Sequence, residues 1–386
     1  MSGVLIDVTQ LILRRAGGVL PTGIDRVGLE YIRYYQKRAR AVLSHWALAA
    51  PLSVADSGRL FRSLLVPAGP GFRRMALGMA IKDTAWNWMR PRAGNSVLFN
   101  CSTMGLETRH YARQLRWLGV RPVYVVYDLI PVSHPEYFPP GRKAMHETAM
   151  RNILSVARGV VTISRHSESA FRAFAQAARL PVPPLAVAPI GPGVAVPQAA
   201  GARPCAEPYF VIVSTIEPRK NHLMLLNVWR ALAERGAGPV PRLYVVGQRG
   251  WECENVVDLL ERCEGLKGRV FELGNCDDRE CANLLRHAQA LLMPTFAEGY
   301  GLPVAEALAA GTPVIASDLA VFREVAGEIP EYADPIDGRR WMELILDYAR
   351  PDSALRAAQL ERIKGFRPMT WERHFEIVDR FLETLP

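Results

Sequence analysis

Two stretches of this 386-residue chain hold charged side chains in settings that could do chemistry. The first, STIEPRKN, covers Ser214–Asn221 and contains the adjacent cations Arg219 and Lys220. Both side chains suit a diphosphate, because the guanidinium binds as a fork and the ammonium as a point charge. We interpret the pair as a candidate anion site, and a solvated basic loop is the ordinary alternative.

The second stretch, PTFAEGYGLPVAEALAAGTPVIASD, covers Pro294–Asp318 and places two glutamates eight positions apart among apolar residues and glycines. Pro303 suits the first position of a helix and Gly311 would end it, so Glu298 lies in the preceding loop and Glu306 in the first turns. A glycine-rich approach to a helix N-terminus presents N–H groups that bind phosphate. Each carboxylate can accept hydrogen bonds from the hydroxyls of a ribose or a sugar. The alternative for the helical glutamate is a favourable charge near a helix start.

These stretches must be positioned by regular elements, and the chain shows two series of short apolar runs that alternate with helical patterns. The first begins at VLIDVT (Val4–Thr9), a predicted strand followed by a loop through RRAGGVLPTGIDR. The second begins at PYFVIVSTI (Pro208–Ile216). This alternation predicts parallel sheets covered on both faces, and hence two doubly wound domains that bind ligands at the carboxyl ends of their strands. A link rich in proline and glycine at 180–208 separates them, and the natural site is a cleft between the two.

Composition narrows the functional classes. Hydrophobic residues make up 49% and charged residues 22%, which is ordinary for a globular protein. No run approaches the roughly 18 apolar residues of a membrane span, and the N-terminus shows no signal-peptide pattern. The six cysteines are scattered without a CxxC pair, which favours reduced thiols over a zinc site. Together these features predict a cytoplasmic protein.

The charge is distributed unevenly along the chain. Residues 1–120 contain 17 Lys and Arg against six Asp and Glu, a net charge of +11, and the remainder carries −2. Within that half, GFRRMALGMAIKDTAWNWMRPR (71–92) interleaves basic residues with Met75, Met79, Met89, Trp86 and Trp88. Such a mixture can lie at a lipid headgroup surface or bind nucleic acid, and an ordinary packed amphipathic helix is the alternative.

The motifs together resemble those of a known enzyme family. EPRKN, the 294–318 stretch and FREVAG (Phe322–Gly327) resemble retaining glycosyltransferases of family 4, which have the GT-B fold. VYDLIPVSHPEYF (Val126–Phe138) resembles the H-D-L-I-P…P-E segment of bacterial members, and MTWERHFEIVDRFLETL (Met369–Leu385) resembles their terminal segment. The resemblance implies an α/β GT-B chain with two Rossmann-like domains facing a central cleft. The implied parts are an acceptor-binding domain (1–200), a nucleotide-sugar-binding domain (201–368) and a helix that packs back on the first domain (369–386).

The resemblance also implies roles for individual residues. Glu306 would hold the ribose hydroxyls, Glu298 the hydroxyls of the transferred sugar, and Arg219 and Lys220 the departing diphosphate. Tyr127 stands where relatives often have histidine, and tyrosine is a poor base near pH 7. Asp128 would therefore orient the acceptor hydroxyl. The alternative for Asp128 is a turn cap. The other implied donor-binding residues are Gly23, Ser214, Gly247, Leu273, Asn275, Gly299, Tyr300, Gly301 and Leu302.

The implied reaction is retaining transfer of a hexose from a nucleotide sugar to a saccharide or lipid-linked saccharide in bacterial surface polysaccharide synthesis. Mannose from GDP-mannose is the leading donor, and rhamnose, fucose, glucose and galactose donors stay open. Fixed cations and a helix N-terminus can replace a metal, so we expect no required metal or other cofactor. The basic half predicts peripheral contact with an anionic membrane rather than nucleic acid, for which no module is present. The alternatives are a non-catalytic partner of a polysaccharide synthase, a sugar-nucleotide epimerase or phosphorylase of the same fold, and a nucleic-acid-binding protein.

Overall fold

The structure is a computed structural model that describes residues 3–19, 21–45, 48–66, 71–87, 94–193, 201–236 and 238–385. The chain forms two compact units. Unit 1 comprises Met1–Val132, Lys143–Gly191 and Thr370–Pro386, and unit 2 comprises Ser133–Arg142 and Pro192–Met369. The chain thus passes to unit 2 at Pro192, and it also contributes ten residues from the middle of its first half to that unit.

Unit 1 is built on a sheet in which the described residues form seven strands. The strands are β1 (Val4–Asp7), β2 (Ala39–His45), β3 (Leu48–Pro51), β4 (Val97–Asn100), β5 (Arg121–Val126), β6 (Gly159–Thr162) and β7 (Leu185–Val187). Their order is β3-β2-β1-β4-β5-β6-β7, and the neighbours are parallel except for the β2–β3 pair. Every residue of β1, β4 and β6 is buried, as expected for parallel strands covered on both faces.

Eight helices of the described chain accompany these strands. They are α1 (Thr9–Ala16), α2 (Gly23–Tyr35), α3 (Val54–Leu65), α4 (Phe72–Asn87), α5 (Arg109–Leu118), α6 (Ile130–Ser133), α7 (Arg142–Val156) and α8 (Arg165–Ala177). The predicted loop after β1 is therefore wrong at both of its ends. Thr9–Ala16 is already helical, and α2 begins at Gly23 because the backbone N–H of Thr22 donates to Asp25 Oδ2 (2.8 Å) in a capping box.

Helix α4 contains most of the basic, methionine-rich and tryptophan-rich segment. Phe72, Ala76 and Met79 recur at helical spacing and are all buried, so this part of α4 packs on unit 1 as an ordinary amphipathic helix. Trp86, Trp88 and Met89 lie outside the residues whose side chains the structure describes.

Unit 2 is built on a sheet in which the described residues form six strands, all parallel. The strands are β8 (Tyr209–Val213), β9 (Arg242–Val246), β10 (Val270–Leu273), β11 (Leu291–Met293), β12 (Val314–Ser317) and β13 (Glu331–Ala333), in the order β10-β9-β8-β11-β12-β13. The helices are α9 (His222–Arg235), α10 (Glu254–Arg262), α11 (Asp278–His287), α12 (Leu302–Ala309), α13 (Ala320–Ala326), α14 (Gly338–Ala349) and α15 (Ala354–Ile363). In both sheets the strand order reverses beside the first strand, so the predicted doubly wound α/β folds are confirmed.

The last helix, α16 (Trp371–Thr384), belongs to unit 1. The ring of Phe375 stacks on Tyr34 with centroids 4.1 Å apart, and Tyr35 donates a hydrogen bond to Asp379 (2.7 Å). His374 is fully buried, and its Nδ1 lies 3.1 Å from two main-chain carbonyl oxygens. These contacts tie the end of the chain to helix α2 and to the residues after β7.

Candidate functional site

The candidate site forms where β8 and β11, the two central strands of the second sheet, end. After β8 the chain makes a 3₁₀ turn at Pro218–Lys220, and Asn221 then adopts a left-handed conformation with φ 61° before α9 begins. The side-chain amide of Asn221 donates to the carbonyl oxygens of Pro294 (3.1 Å) and Pro335 (2.8 Å). The carbonyl of Arg219 accepts from Phe296 N (2.8 Å). Backbone and amide hydrogen bonds therefore hold the two sequence motifs against each other.

This arrangement produces a buried cluster of four charges. Arg219 Nε lies 2.6 Å from Glu217 Oε1, and its Nη1 lies 3.2 Å from Glu298 Oε2 and donates to the Ala297 carbonyl (2.8 Å). Lys220 Nζ donates to Glu298 Oε1. The side chains of Lys220 and Glu298 are 11% and 9% exposed, so neither charge has full access to water. Two cations and two carboxylates give the cluster no net formal charge.

Burial and charge pairing act in opposite directions on the pKa values of this cluster. Burial alone would raise the pKa of Glu298, but Lys220 and Arg219 outweigh it and lower that pKa below its ordinary value. Burial and the neighbouring Arg219 lower the pKa of Lys220, against the opposing effect of Glu298. The carboxylate is thus ionised at neutral pH, and the cations on either side of it are held in fixed positions.

The glycine-rich stretch continues from this cluster into α12. Gly301 has φ 94°, and a Cβ atom there would lie 2.5 Å from the ring of Phe322, so glycine is required on both counts. Helix α12 starts at Leu302, with Pro303 as its second residue instead of its first. Gly299 and Tyr300 are buried in the approach to this helix, and burial raises the pKa of the Tyr300 phenol.

Glu306 lies in the second turn of α12 and is buried. Its Oε1 accepts a hydrogen bond from the backbone N–H of Gly193 at 2.9 Å. Gly193 belongs to the linker segment of unit 2, and the sequence offered no signal for this contact. One oxygen of the carboxylate predicted to hold ribose is therefore held by the protein itself.

The predicted base-pocket residues are brought together in part. Gly247 follows β9 with φ 146°, and a Cβ there would overlap the carbonyl oxygen of Ser214, so only glycine permits this approach. The N–H of Gly247 donates to the carbonyl of Leu273 at 3.1 Å, which places Ser214, Gly247 and Leu273 in one group. Asn275 is exposed in the turn before α11.

A segment from the first half of the chain packs beside this site. Tyr137 stacks on Phe296, with ring centroids 5.5 Å apart and planes at 9°, and Phe138 stacks on Trp251 at 5.8 Å. Trp251 Nε1 also donates to the Tyr137 carbonyl (2.9 Å). The segment that resembles the P-E part of bacterial relatives is thus an aromatic component of unit 2, next to the loop of Glu298.

Two predicted residues of unit 1 have local structural partners. Asp128 Oδ1 accepts from the backbone N–H of Ile130 at 3.0 Å, which is the turn cap weighed as an alternative. Tyr127 is buried, and its hydroxyl donates to the Cys101 carbonyl at 2.8 Å, so this side chain is directed into the interior of unit 1. Gly23 is the first residue of α2 rather than part of a loop.

Sequence reasoning missed two further side chains at the site. Glu217 is 3% exposed and pairs with Arg219, and His222 is 2% exposed with Nε2 3.3 Å from Ser214 Oγ. Both are in or next to the quoted motif STIEPRKN. The available signal was Glu217 two residues before Arg219. Such spacing alone does not distinguish a buried ion pair from a solvated one.

Other surfaces of the described residues offer weaker candidate sites. A depression of about 380 Å³ on unit 2 is lined by residues of α11 and its approach together with Gly201, and none of the predicted donor residues lines it. Among the described residues, no three His, Cys, Asp or Glu side chains lie close enough together to hold a metal ion. No described helix is both long and apolar enough to cross a membrane. The charge cluster is the stronger candidate because it combines buried fixed charges with a helix N-terminus.

Comparisons with known proteins identify relatives of this chain. The family described as Glycosyl transferases group 1 matches residues 198–329. The chain is 30% identical to O-antigen chain mannosyltransferase B of Escherichia coli over 258 residues, which cover 65% of this chain and 67% of that protein. It is 26% identical over 296 residues to the serotype-specific mannosyltransferase WbdA of Escherichia coli, covering 70% of this chain but only 34% of that protein.

A solved structure extends the likeness to the whole fold. The HepE protein of Anabaena, in complex with UDP and glucose, superposes with a TM-score of 0.67 at 17% identity, covering 100% of both chains. At this identity the likeness concerns the fold alone. Together with the strand orders of the two sheets, it confirms the predicted GT-B architecture.

Proposed function

Because the chain belongs to the group 1 glycosyl transferases, the family that its motifs predicted, we propose that it transfers mannose from GDP-mannose. The acceptor is a saccharide or lipid-linked saccharide of a bacterial surface polysaccharide, and the anomeric configuration is retained. The chain is a glycosyltransferase; the donor, the acceptor and the stereochemistry are the proposal. Mannose is supported by the names of both Escherichia coli relatives, and the O-antigen setting by the name of O-antigen chain mannosyltransferase B.

The observation that carries the proposal is the buried charge cluster at the entry to α12. Lys220 and Arg219 are fixed on either side of Glu298, and the glycine-rich turn before α12 leads to Glu306 one turn further on. Fixed cations in a site with little water stabilise a developing phosphate charge more than mobile ones, because no reorganisation is needed during the reaction. We therefore assign the leaving-group role to this cluster and expect no required metal.

The neutrality of the cluster suggests how the donor engages it. The diphosphate brings negative charge beside Lys220, so it competes with Glu298 for the ammonium. When the phosphate takes that place, Glu298 becomes free to accept hydrogen bonds from the hydroxyls of the transferred sugar. Arg219 keeps Glu217 and the Ala297 carbonyl as partners and stays in position.

The transfer itself then needs no enzymic nucleophile. The bond between the anomeric carbon and the diphosphate oxygen breaks, and the acceptor oxygen forms the new bond on the same face of the sugar. The acceptor proton passes to the departing phosphate. Asp128 orients the acceptor hydroxyl with its second carboxylate oxygen, while Oδ1 holds the turn before Ile130.

Thermal unfolding with a panel of GDP, UDP, dTDP and ADP tests the donor site. A ligand at 100 times its Kd stabilises the native state by about 2.7 kcal/mol, so GDP should raise the Tm clearly, with magnesium or with a chelator. Glu306→Gln keeps an acceptor for the Gly193 N–H and should lose most of this shift. Glu361→Gln, at an exposed pair on α15, is the matched control.

Other outcomes of this panel would redirect the proposal. A shift with UDP alone would move the donor base from guanine to uracil. A shift that requires magnesium would contradict the metal-independent mechanism. No shift with any of the four nucleotides would remove the donor site and favour a scaffold role.

The membrane part of the proposal rests on α1 and α4 of unit 1. Leu13 and Leu77 are 41% and 63% exposed, and the exposed Arg73 and Arg74 lie on the same pair of contacting helices. Basic side chains beside exposed aliphatic ones suit an anionic headgroup surface.

The protein should therefore sediment with vesicles containing phosphatidylglycerol and not with pure phosphatidylcholine. The double variant Leu13→Ser/Leu77→Ser should weaken that binding, whereas Leu355→Ser, at an exposed site of unit 2, should not.

A further inference from the structure

Ser214 and His222 form a pair next to the charge cluster. Ser214 directly follows β8, is half-buried, and donates its backbone N–H to the Val246 carbonyl at 2.9 Å. Its Oγ lies 3.3 Å from Nε2 of His222, the first residue of α9. The imidazole is 2% exposed, and its Nδ1 is buried without a hydrogen-bond partner among the described residues.

The surroundings of His222 fix its protonation state. Burial lowers the pKa of the imidazole to about 3, and the nearby Lys220 contributes in the same direction. The free N–H groups in the first turn of α9 add positive potential, which also disfavours the cation. The ring is therefore neutral at neutral pH and carries one proton.

The unpartnered Nδ1 decides between the two neutral forms. A proton on Nδ1 would create a buried N–H donor with no acceptor, which proteins rarely tolerate. A proton on Nε2 donates instead to Ser214 Oγ and leaves only a lone pair on the buried side. The second form satisfies the pair, so the serine oxygen is the acceptor in this hydrogen bond.

This assignment leaves the hydroxyl proton of Ser214 available to a ligand. Ser214 lies at the carboxyl end of a central strand, where doubly wound sheets bind their ligands. Ser214 directly follows β8 and Lys220 ends the 3₁₀ turn before α9, so both belong to the one segment that leaves the carboxyl end of this strand. A hydroxyl donor in the same segment as an ammonium group suits an anionic oxygen.

We propose that His222 is a positioning residue, an inference that rests on the proposed function. It directs the Ser214 hydroxyl as a hydrogen-bond donor to the diphosphate of the nucleotide sugar. His222 itself does not touch the ligand. Its effect on binding passes through Ser214, which makes the two residues energetically coupled.

Calorimetric titration of GDP tests this coupling in a double-mutant cycle. Ser214→Ala removes a hydrogen bond to a charged group and His222→Leu removes the partner that orients it, so each should weaken GDP binding about tenfold. The double variant should bind no more weakly than Ser214→Ala alone. His222→Gln offers an amide N–H near the position of Nε2 and should restore most of the affinity. His287→Leu, on α11 of the same unit, controls for the loss of a histidine.

The outcomes separate this inference from the proposed function. If the parent protein binds none of the four nucleoside diphosphates, the donor site itself is wrong. If the parent binds GDP and His222→Leu binds it equally well, the inference is wrong and the donor site stands. Additive losses in the double variant would also overturn it, because His222 would then act independently of Ser214. A lower Tm of the ligand-free His222→Leu protein with unchanged GDP affinity would assign His222 to folding alone.

Discussion

The carboxyl ends of the two sheets hold polar clusters of different kinds. In unit 1, Asp7 accepts from the Thr9 N–H (3.0 Å) and from the Ser44 hydroxyl, and Gln10 bonds to Asp25 (3.1 Å) and Ser102 (2.8 Å). Asp25 is also paired with Arg14 (2.7 Å), so this network contains one ion pair among neutral donors and acceptors. In unit 2 the corresponding position holds two cations and two carboxylates, and we propose that a ligand exchanges their pairing. We infer that the network of unit 1 serves the fold and that the pre-positioned ionic cluster of unit 2 serves ligand binding.

The pKa of Asp7 illustrates the contrast. Burial raises it, against the lowering effect of hydrogen bonds from Ser44 and Thr9, whereas the pKa of Glu298 is lowered in spite of burial. The first carboxyl group is surrounded by dipoles and the second by fixed cations. We therefore expect substitutions in unit 1 to change stability, and substitutions in the cluster of unit 2 to change ligand binding and turnover.

The largest expected effect is that of Lys220→Met. Loss of the fixed ammonium that stabilises the leaving group should lower kcat/KM for GDP-mannose by about 10²–10³-fold, measured with a mannose-terminated acceptor. Lys267→Met, at an exposed pair in the same unit, should leave kcat/KM unchanged. If a folded variant lost less than tenfold in kcat/KM, stabilisation of the leaving phosphate would be assigned to Arg219 and the N-terminus of α12 instead.

Glu217→Gln should act mainly on stability, although it lies in the charge cluster. It leaves the buried Arg219 guanidinium without one of its two carboxylate partners, which costs about 3 kcal/mol, or roughly 6–12 °C in the Tm of unit 2. Differential scanning calorimetry measures this, with the exposed Glu264→Gln as control. An unchanged Tm would mean that the Glu217 pair contributes no net stability.

The pH dependence of unit 1 should report on His374. Its Nδ1 faces the Ala188 and Pro189 carbonyls and its Nε2 faces the Tyr31 hydroxyl, which satisfies the neutral ring, and burial lowers its pKa to about 4. Because the unfolded state binds the proton more readily, this contribution to stability is complete above about pH 6.5 and is lost as the pH falls toward 4. Unit 1 should be about 2 kcal/mol less stable at pH 5 than at pH 8.

His374→Gln provides the test of that assignment. The variant should show a smaller drop in Tm between pH 8 and pH 5 than the parent, whereas His166→Gln, at an exposed site on α8, should show the full drop. An equal pH dependence in all three proteins would place the responsible group elsewhere.

The smallest expected effect concerns Asp128. This residue belongs to unit 1, yet we expect its substitution to change turnover as well as stability. Asp128→Ser keeps an oxygen for the Ile130 N–H, so the Tm should hold, but loss of the carboxylate should lower turnover about tenfold, or roughly 1.4 kcal/mol. Asp128→Ala should also lower stability by about 1 kcal/mol through loss of the cap. Unchanged turnover in the serine variant would confine Asp128 to the turn.

Much of the fold was predictable, because local patterns determine it. Buried strands such as β8 consist of continuous apolar runs, and Gly301 follows from a helix entry that needs a left-handed residue. The errors are local as well. The start of α2 was missed because a capping box at Thr22 and Asp25 outweighs the glycines and proline that suggested a loop.

The sequence by itself determined the family, the two doubly wound sheets and the residue types at the site, since these depend on patterns within about twenty-five residues. The tertiary structure decided how those residues are paired. Glu298 meets Lys220 across 78 positions, and Glu306 meets Gly193 across 113. Tyr137 stacks on Phe296, and His374 reaches the Ala188 carbonyl across 186 positions. These pairings arise when distant segments are desolvated together, because a buried charge or N–H must then find a partner wherever packing brings one.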